Sequence, residues 1–383
     1  MRAATAAGVA IGTAVGYNIA NVGPAAEVVS EAYGVRLGTV GFLTTALFVT
    51  HLVMQIPGGR LVDRHGARTL ASVGLAVIAL GNVVGLVAAS FPLAFVARLI
   101  AGLGTGVGFV AGSDYVRATV GSATAQGLYG AAGVGGGGLA IAVVPLTTSA
   151  LDWRAPYATA LVAACIVLVG LPLAQRDRRK GEAVRSAGAP VAEIVRDQRL
   201  YPLALAHTAS FGFSVIVGNW AVSLLEHDGY GRRLAGAVAA LTLLAGFVTR
   251  PLGGRAFQRG RERAAPLLAA SMVAGAAGTL LLLLDAPLAL RVAGAAVLGL
   301  AAGIPFAAAF AGAQTIRRDG PGAAIGFINA CATLVIAVGT PVVGVTFALP
   351  GHGRTGFVAV AVLWALAALA VRPSKLPVLA PAA

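Results

Sequence analysis

Polar side chains in this chain come in short clusters, and between them the sequence runs apolar for about twenty residues at a time, the length a helix needs to cross about 30 Å of hydrocarbon. Twelve such spans can be marked off. The first six run Ala4–Val28, Leu37–Leu61, Thr69–Ser90, Leu93–Gly112, Ala125–Leu146 and Ala155–Leu173. The second six run Leu200–Leu225, Leu234–Gly254, Ala264–Leu284, Val292–Ala313, Ala323–Ala348 and Thr355–Val371. Charged residues make up 11% and hydrophobic residues 58% of the 383, far from the balance of a soluble globule, which is about 25% charged. The expected fold is an all-α membrane protein. Its 52 glycines, beside only 6% aromatics, suit helices that pack backbone to backbone in lipid.

The net charge of +14 does not point to nucleic acid, because its Lys and Arg residues lie in loops and are not gathered on one face. They report orientation instead. Arg60, Arg64, Arg68, Arg117, the run from Arg176 to Arg199, Arg255 to Arg263, and Arg317 with Arg318 fall in loops on one side. The other side has only Arg36, Arg154, Arg232, Arg233, Arg291 and Arg354. With the termini counted, that is about twenty against about six, so the first side is expected to be cytoplasmic, with both termini there and the chain in the cell (inner) membrane. Cys165 and Cys331 lie within spans and read as packing residues.

The segment 174–199 is the longest polar stretch and divides the spans six and six. It reads as a cytoplasmic linker, with a short surface helix near Val191–Gln198, between bundles at 1–173 and 200–383. Internal likeness supports the division. Gly58-Gly59 precedes Gly253-Gly254 by 195 positions, which sets Gln55 opposite Arg250, and Gly102, Gly106 and Phe109 match Gly299, Gly303 and Phe306 at an offset of 197.

Between the second and third spans lies a charge-dense turn bracketed by glycine, with Gly59, Leu61, Asp63, Arg64, Gly66 and Arg68. Arg98 is followed by Gly102, Gly104 and Gly106 in the fourth span, and the glycine-rich fifth span ends near Pro145. On these motifs and on its two sets of six spans, the chain resembles the major facilitator superfamily of secondary transporters over nearly its whole length. The resemblance implies two pseudo-symmetric six-helix bundles that alternate access to a central site. Arg250-Pro251-Leu252-Gly253-Gly254 and Ala132-Gly133-Val134-Gly135 look like the nitrate/nitrite porter and cyanate-type branches, with departures: Gln55 stands where the nitrate porters have an arginine, and Gly136 where they have an asparagine.

Several residues could carry function. A carboxylate at a helix end, such as Asp63, can hold the positive N-terminus of a neighbouring helix, and the resemblance implies that Gly59, Asp63, Arg64, Gly66 and Arg68 gate the cytoplasmic face. An arginine inside a span is costly unless it finds water or a partner, which singles out Arg98 and Arg250. Arg98, with Gly102 and Gly106, either ties helices through carbonyls or meets substrate; Arg250 either anchors substrate, with Gln55, or snorkels. Asn21 and Asn219 either line a cavity or join helices. His51 and His207 are candidates for proton coupling, against the plainer reading of packed histidines.

No nucleophile with a base, no paired metal ligands and no phosphate loop stand out in the spans, so no enzyme, metal site or cofactor is expected. The expected partners are the lipid bilayer and a small-molecule or ion substrate, and the expected assembly is a monomer. The expected activity is movement of a small solute, an inorganic or organic anion, by alternating access. Efflux of drugs or metabolites is the alternative, and a membrane-embedded sensor or enzyme a remote one.

Overall fold

The computed structural model describes residues 2–120, 123–174, 191–258, 261–285, 287–317 and 321–370, and some side chains within these helices, Asp63 among them, lie outside the described set. The described residues are helical, with α1 Arg2–Ala20, α2 Ala26–Tyr33, α3 Leu37–Val53, α4 Gln55–His65, α5 Ala67–Leu86, α6 Phe91–Thr119, α7 Ala123–Leu151 and α8 Ala155–Gly170. There follow α9 Val191–Arg196, α10 Tyr201–His207, α11 Ser214–His227, α12 Arg232–Gln258, α13 Arg261–Leu281, α14 Leu288–Ile316, α15 Pro321–Val345 and α16 Arg354–Ala370.

Among the described residues nine helices are long and apolar enough to cross a membrane, and ten if the bent pair Gly23–Tyr33 and Leu37–Val53 counts as one span. Twelve were expected. Part of the difference lies in the 47-residue apolar run Gly127–Leu173, which contains both α7 and α8, parted by the tight turn Asp152–Arg154. Another part is α16, which at 17 residues is one of the shorter apolar helices.

Two expected spans are broken. Ala4–Val28 was read as one helix, yet α1 stops at Ala20 and a 3₁₀ turn over Gly23–Ala25 leads into α2. Pro24 has no N–H to give to the helical ladder, so the sequence forces the break. The second span divides at Met54, with Pro57 in the first turns of α4. The ten-residue turn expected at Gly59–Arg68 is also shorter than its charges suggest. Residues 59–65 are the last turns of α4, and Gly66 makes the bend alone at φ 86°, a value that glycine adopts without strain.

The chain forms two compact units. The first comprises Met1–Ala183, Gly218–Ala240 and Ala337–Thr355. Glycine sets its helix spacing: a Cβ on Gly74 of α5 would come 2.8 Å from the Gly108 backbone of α6, and one on Gly81 2.7 Å from that of Ala101. Segments from late in the chain join this unit by the same means. Gly41 of α3 packs on Pro341 of α15 (2.8 Å), Gly38 on Gly344 (3.0 Å), and Gly236 of α12 on Pro145 of α7 (2.6 Å), each measured from a Cβ that the glycine lacks. Trp220 lies fully buried there and donates to Thr340 O at 2.8 Å.

The second unit comprises Val184–Val217, Leu241–Ile336 and Gly356–Ala383. Here Gly278 of α13 would clash with the Leu298 backbone of α14 at 2.6 Å if it carried a Cβ, and Gly303 of α14 with Gly246 O of α12 at 2.6 Å. Arg291, expected in an exposed loop, is buried, and one guanidinium nitrogen reaches Leu282 O (3.3 Å) at the end of α13. The short helix expected in the linker is present as α9. It is docked by the buried Ile194, by Tyr201 Oη donating to Val195 O (2.8 Å), and by Arg317 facing Glu193 at 3.4 Å and Asp197 at 3.7 Å. The hydrogen bonds from Arg199, with Arg317 nearby, hold the Asp197 carboxyl below its usual range.

Candidate functional site

Arg98 occupies the break in α1. Its guanidinium donates to Asn18 O (2.9 Å), to Asn21 Oδ1 (2.8 Å) and, at 3.4 Å each, to Ile19 O and Leu43 O. The break leaves the last carbonyls of α1 without their helical partners, and these are the groups that a buried cation at a helix C-terminus satisfies best. Asn21 is used from both ends, since its Nδ2 donates to Pro156 O at 2.8 Å. Asn18 adds a second tier, with its Oδ1 accepting from Asn82 Nδ2 at 2.7 Å. Of the two readings of Arg98, these contacts match the tying of helices through carbonyls.

Gly102 and Gly106 lie under α3. A side chain at Gly102 would run into Thr50 Oγ1 and Leu47 O, and one at Gly106 would lie 2.7 Å from His51 O. Thr50 Oγ1 donates to Leu99 O at 2.8 Å, and His51 Nδ1 lies 3.1 Å from Thr105 Oγ1, with its ring beside those of Phe48 and Phe109. His51 is thus a packed, hydrogen-bonded histidine. Asn219 likewise joins helices, with its Oδ1 accepting from Thr44 Oγ1 at 3.1 Å.

Of the expected gate, Arg64 is exposed, while Arg68 donates to Ala174 O (2.8 Å) and so ties the start of α5 to the chain beyond α8. Gly59 has nothing nearer than 3.9 Å to where its Cβ would stand, and Gly66 supplies the bend. The side chain of Asp63, and those of Arg255, Arg259 and Arg261 in the corresponding later segment, lie outside the described residues.

In the second unit Arg250 is 3% exposed, and its guanidinium carbon lies 3.7 Å from the ring centroid of Phe306. It does not snorkel. Phe306 stacks on Phe310 at 4.4 Å, and the His207 ring touches Phe306, Phe310 and Phe211 at 5.0–5.7 Å. His207 Nε2 lies 3.2 Å from Asn329 Oδ1, while its Nδ1 is buried without a hydrogen-bond partner. A π-helical turn, Thr208–Phe213, begins at the next residue, a deviation that is frequent at functional sites. This arrangement of a buried cation, three phenyl rings and one imidazole nitrogen with spare capacity is a chemically unusual cluster. The sequence pointed to Arg250 and His207, but not to Phe306, Phe310 or Asn329, which only folding brings to them.

The helix packing also resets the internal repeat. Thr249 Oγ1 donates to Leu300 O at 2.7 Å over Gly303, as Thr50 does to Leu99 O over Gly102. Matched on these bonds, Arg250 corresponds to His51, one helical turn before Gln55. The 195-residue register was set by glycine pairs alone, and glycine is too common here to fix a register. Gln55 itself begins α4, and its Nε2 is buried without a hydrogen-bond partner.

Comparison with known proteins agrees with the architecture. The family profile of the Major Facilitator Superfamily matches residues 8–340. Among curated proteins, an uncharacterized MFS-type transporter, YfiU, of Bacillus subtilis (strain 168) is 27% identical over 143 residues, 37% of this chain and 25% of that protein. The puromycin resistance protein pur8 of Streptomyces alboniger is 33% identical over 133 residues, 33% of this chain and 26% of that protein. Each match thus spans about a quarter of the relative. Among solved structures, a D-xylose-proton symporter superposes with a TM-score of 0.74 at 16% identity, covering 96% of both chains. The nucleoside transporter NupG superposes with a TM-score of 0.73 at 14% identity, covering 95% of this chain and 98% of the other, so the fold is shared although the sequences have diverged. The chain belongs to the Major Facilitator Superfamily, a family of membrane transporters and not of enzymes.

Proposed function

We propose that this chain is a secondary transporter that moves a small anion across the cell membrane by alternating access. In this reading the halves 1–173 and 200–383 act as two bundles joined by 174–199, the termini face the cytoplasm, the transporter works as a monomer, and the Asp63 turn gates that face. The observation that carries the anion is Arg250. A guanidinium buried inside a helix and laid against an aromatic face keeps its charge at a high desolvation cost, and a cation so placed is suited to bind an incoming negative group. His207 Nδ1 offers a second polar contact in the same unit. The Arg250-Pro251-Leu252-Gly253-Gly254 segment is in keeping with an anion, and Gln55, standing where the nitrate porters have an arginine, favours a single-arginine site over a nitrate site.

Thermal shift of the purified protein with a panel of small anions tests this. Stabilisation by an anion in the wild type, lost in Arg250→Gln, is the expected result; equal stabilisation of both would remove Arg250 from the site. A second reading, efflux of amphipathic compounds, is favoured by the likeness to the puromycin resistance protein and by the three aromatic rings around His207. Stabilisation by puromycin that survives the Arg250 substitution would select it.

A further inference from the structure

We propose that the Arg250 site selects an anion that carries its own hydrogen-bond donor, and that His207 Nδ1 is the acceptor that reads this donor, so that bicarbonate or a hydroxycarboxylate is preferred to nitrate or a plain carboxylate of the same shape. The proposal rests on the reading of Arg250 as the residue that meets a substrate anion.

The residues concerned all belong to the second compact unit. His207 ends α10, and the helix passes into its π-helical turn at the next residue. The side chain is 1% exposed and is held from two directions. Phe211 stacks on the ring at 5.7 Å and 15°, and Nε2 lies 3.2 Å from Asn329 Oδ1. Arg250 shares one neighbour with it: the guanidinium carbon lies 3.7 Å from the centroid of Phe306, and the imidazole centroid lies 5.5 Å from the same point. One phenyl group therefore touches both the cation and the imidazole.

The partner of Nε2 decides where the proton of the ring sits. A carboxamide oxygen only accepts, so Nε2 carries the hydrogen and donates to Asn329. A neutral imidazole has one donor nitrogen and one acceptor nitrogen, and Nδ1 is thus left with a lone pair, buried and without a hydrogen-bond partner. The three phenyl rings packed on it hold no charge to balance a second proton. Thr333 follows Asn329 by four residues on the same face of α15, and its Oγ1 is likewise buried without a partner. A buried polar atom left unmatched is destabilising, and a ligand that matches it recovers the loss.

The two unmatched atoms differ in what they require. A hydroxyl gives or accepts, so Thr333 suits any anion; Nδ1 only accepts. Nitrate has oxygen lone pairs alone and would set one of them against the nitrogen lone pair. Bicarbonate, planar and of about the same size, presents an O–H there while its charge remains for Arg250. Sites built to bond a substrate hydroxyl reject the analogue that lacks it far more strongly than sites that merely match its shape. His207 is thus a specificity-determining residue, and Asn329 is the positioning residue that fixes its tautomer.

Thermal-shift titration of the purified protein in detergent tests this with two matched pairs, bicarbonate against nitrate and lactate against propionate, at one mildly alkaline pH where bicarbonate is the main species. In the wild type the donor-bearing member of each pair should bind about tenfold more tightly, or better. His207→Phe, which keeps aromatic packing and removes the acceptor, should bring each ratio to about one while both members still bind, and Arg250→Gln should lose both. Asn329→Leu frees the ring to carry its hydrogen on either nitrogen, so it should shrink the ratio while binding persists, and it decides the matter if His207→Phe does not fold. A wild-type ratio near one, or a wild-type ratio retained in His207→Phe or Asn329→Leu, would overturn selection by His207 and leave an anion site at Arg250 standing. Binding of none of the four, or binding that survives Arg250→Gln, would remove the anion site and this inference with it.

Discussion

Arg98 and Asn21 meet at 2.8 Å where the first membrane helix breaks, and the contact makes Arg98 part of that helix's terminus. The guanidinium serves carbonyls of Asn18, Ile19 and Leu43 besides, so a single side chain holds the end of α1 against α3. Hydrogen bonds to a charged group contribute about 1.5–3 kcal/mol each, and a lone carbonyl left behind in lipid adds to the loss. Arg98→Ala should therefore lower the unfolding midpoint in detergent by about 5 °C or more, while Arg64→Ala, at an exposed position, should change it by about 1 °C at most. Arg98→Lys should fall between, because an ammonium has three donors and no planar fork.

The equivalent hydrogen bonds of Thr50 and Thr249 allow a symmetric test. Thr50→Val and Thr249→Val should each cost about 0.6–1 kcal/mol, the usual worth of a hydrogen bond between membrane helices, and differential scanning of the two should give similar shifts.

Glycine positions divide sharply by what surrounds them. Gly102→Ala would drive a methyl group into Thr50 and Leu47 O, and Gly303→Ala into Thr249 and Gly246 O, so both should express poorly or unfold early. Gly127→Ala meets nothing within 4 Å and should be tolerated or slightly stabilising, as alanine favours a helix by about 0.5–1 kcal/mol over glycine. Fluorescence size-exclusion profiles of the three separate these outcomes.

The docked linker helix can be released. Arg317→Ala removes the cation that faces Glu193 and Asp197, and limited trypsin digestion at Arg196 should speed up several-fold. Because the Asp197 pKa is lowered, its contribution is present at neutral pH and is lost only when the pH falls through that lowered value. Wild-type digestion at neutral pH should accordingly be slow and unchanged by mild acid.

How legible a feature is in the sequence depends on its length scale. The spans were legible because charge cannot stay in lipid, and Pro24 and Pro57 marked breaks that a hydropathy window smooths over. The gating turn was overestimated, since charged residues at a helix end look like loop residues until Gly66 is seen to make the bend alone. Arg98 could be flagged as a buried cation, but its partners are backbone carbonyls, which no sequence pattern displays. Phe306 and Asn329 reach Arg250 and His207 as tertiary juxtapositions of residues about fifty or more positions apart, so nothing local announced them.

Anion transport through Arg250 can be read as solid-supported-membrane currents on proteoliposomes, with concentration jumps of nitrate, nitrite, cyanate, formate and phosphate applied to the wild type and to Arg250→Gln. At least one of these anions should give a saturable current in the wild type that is abolished by the substitution. Silence with every anion, together with currents evoked by puromycin in both proteins, would contradict it.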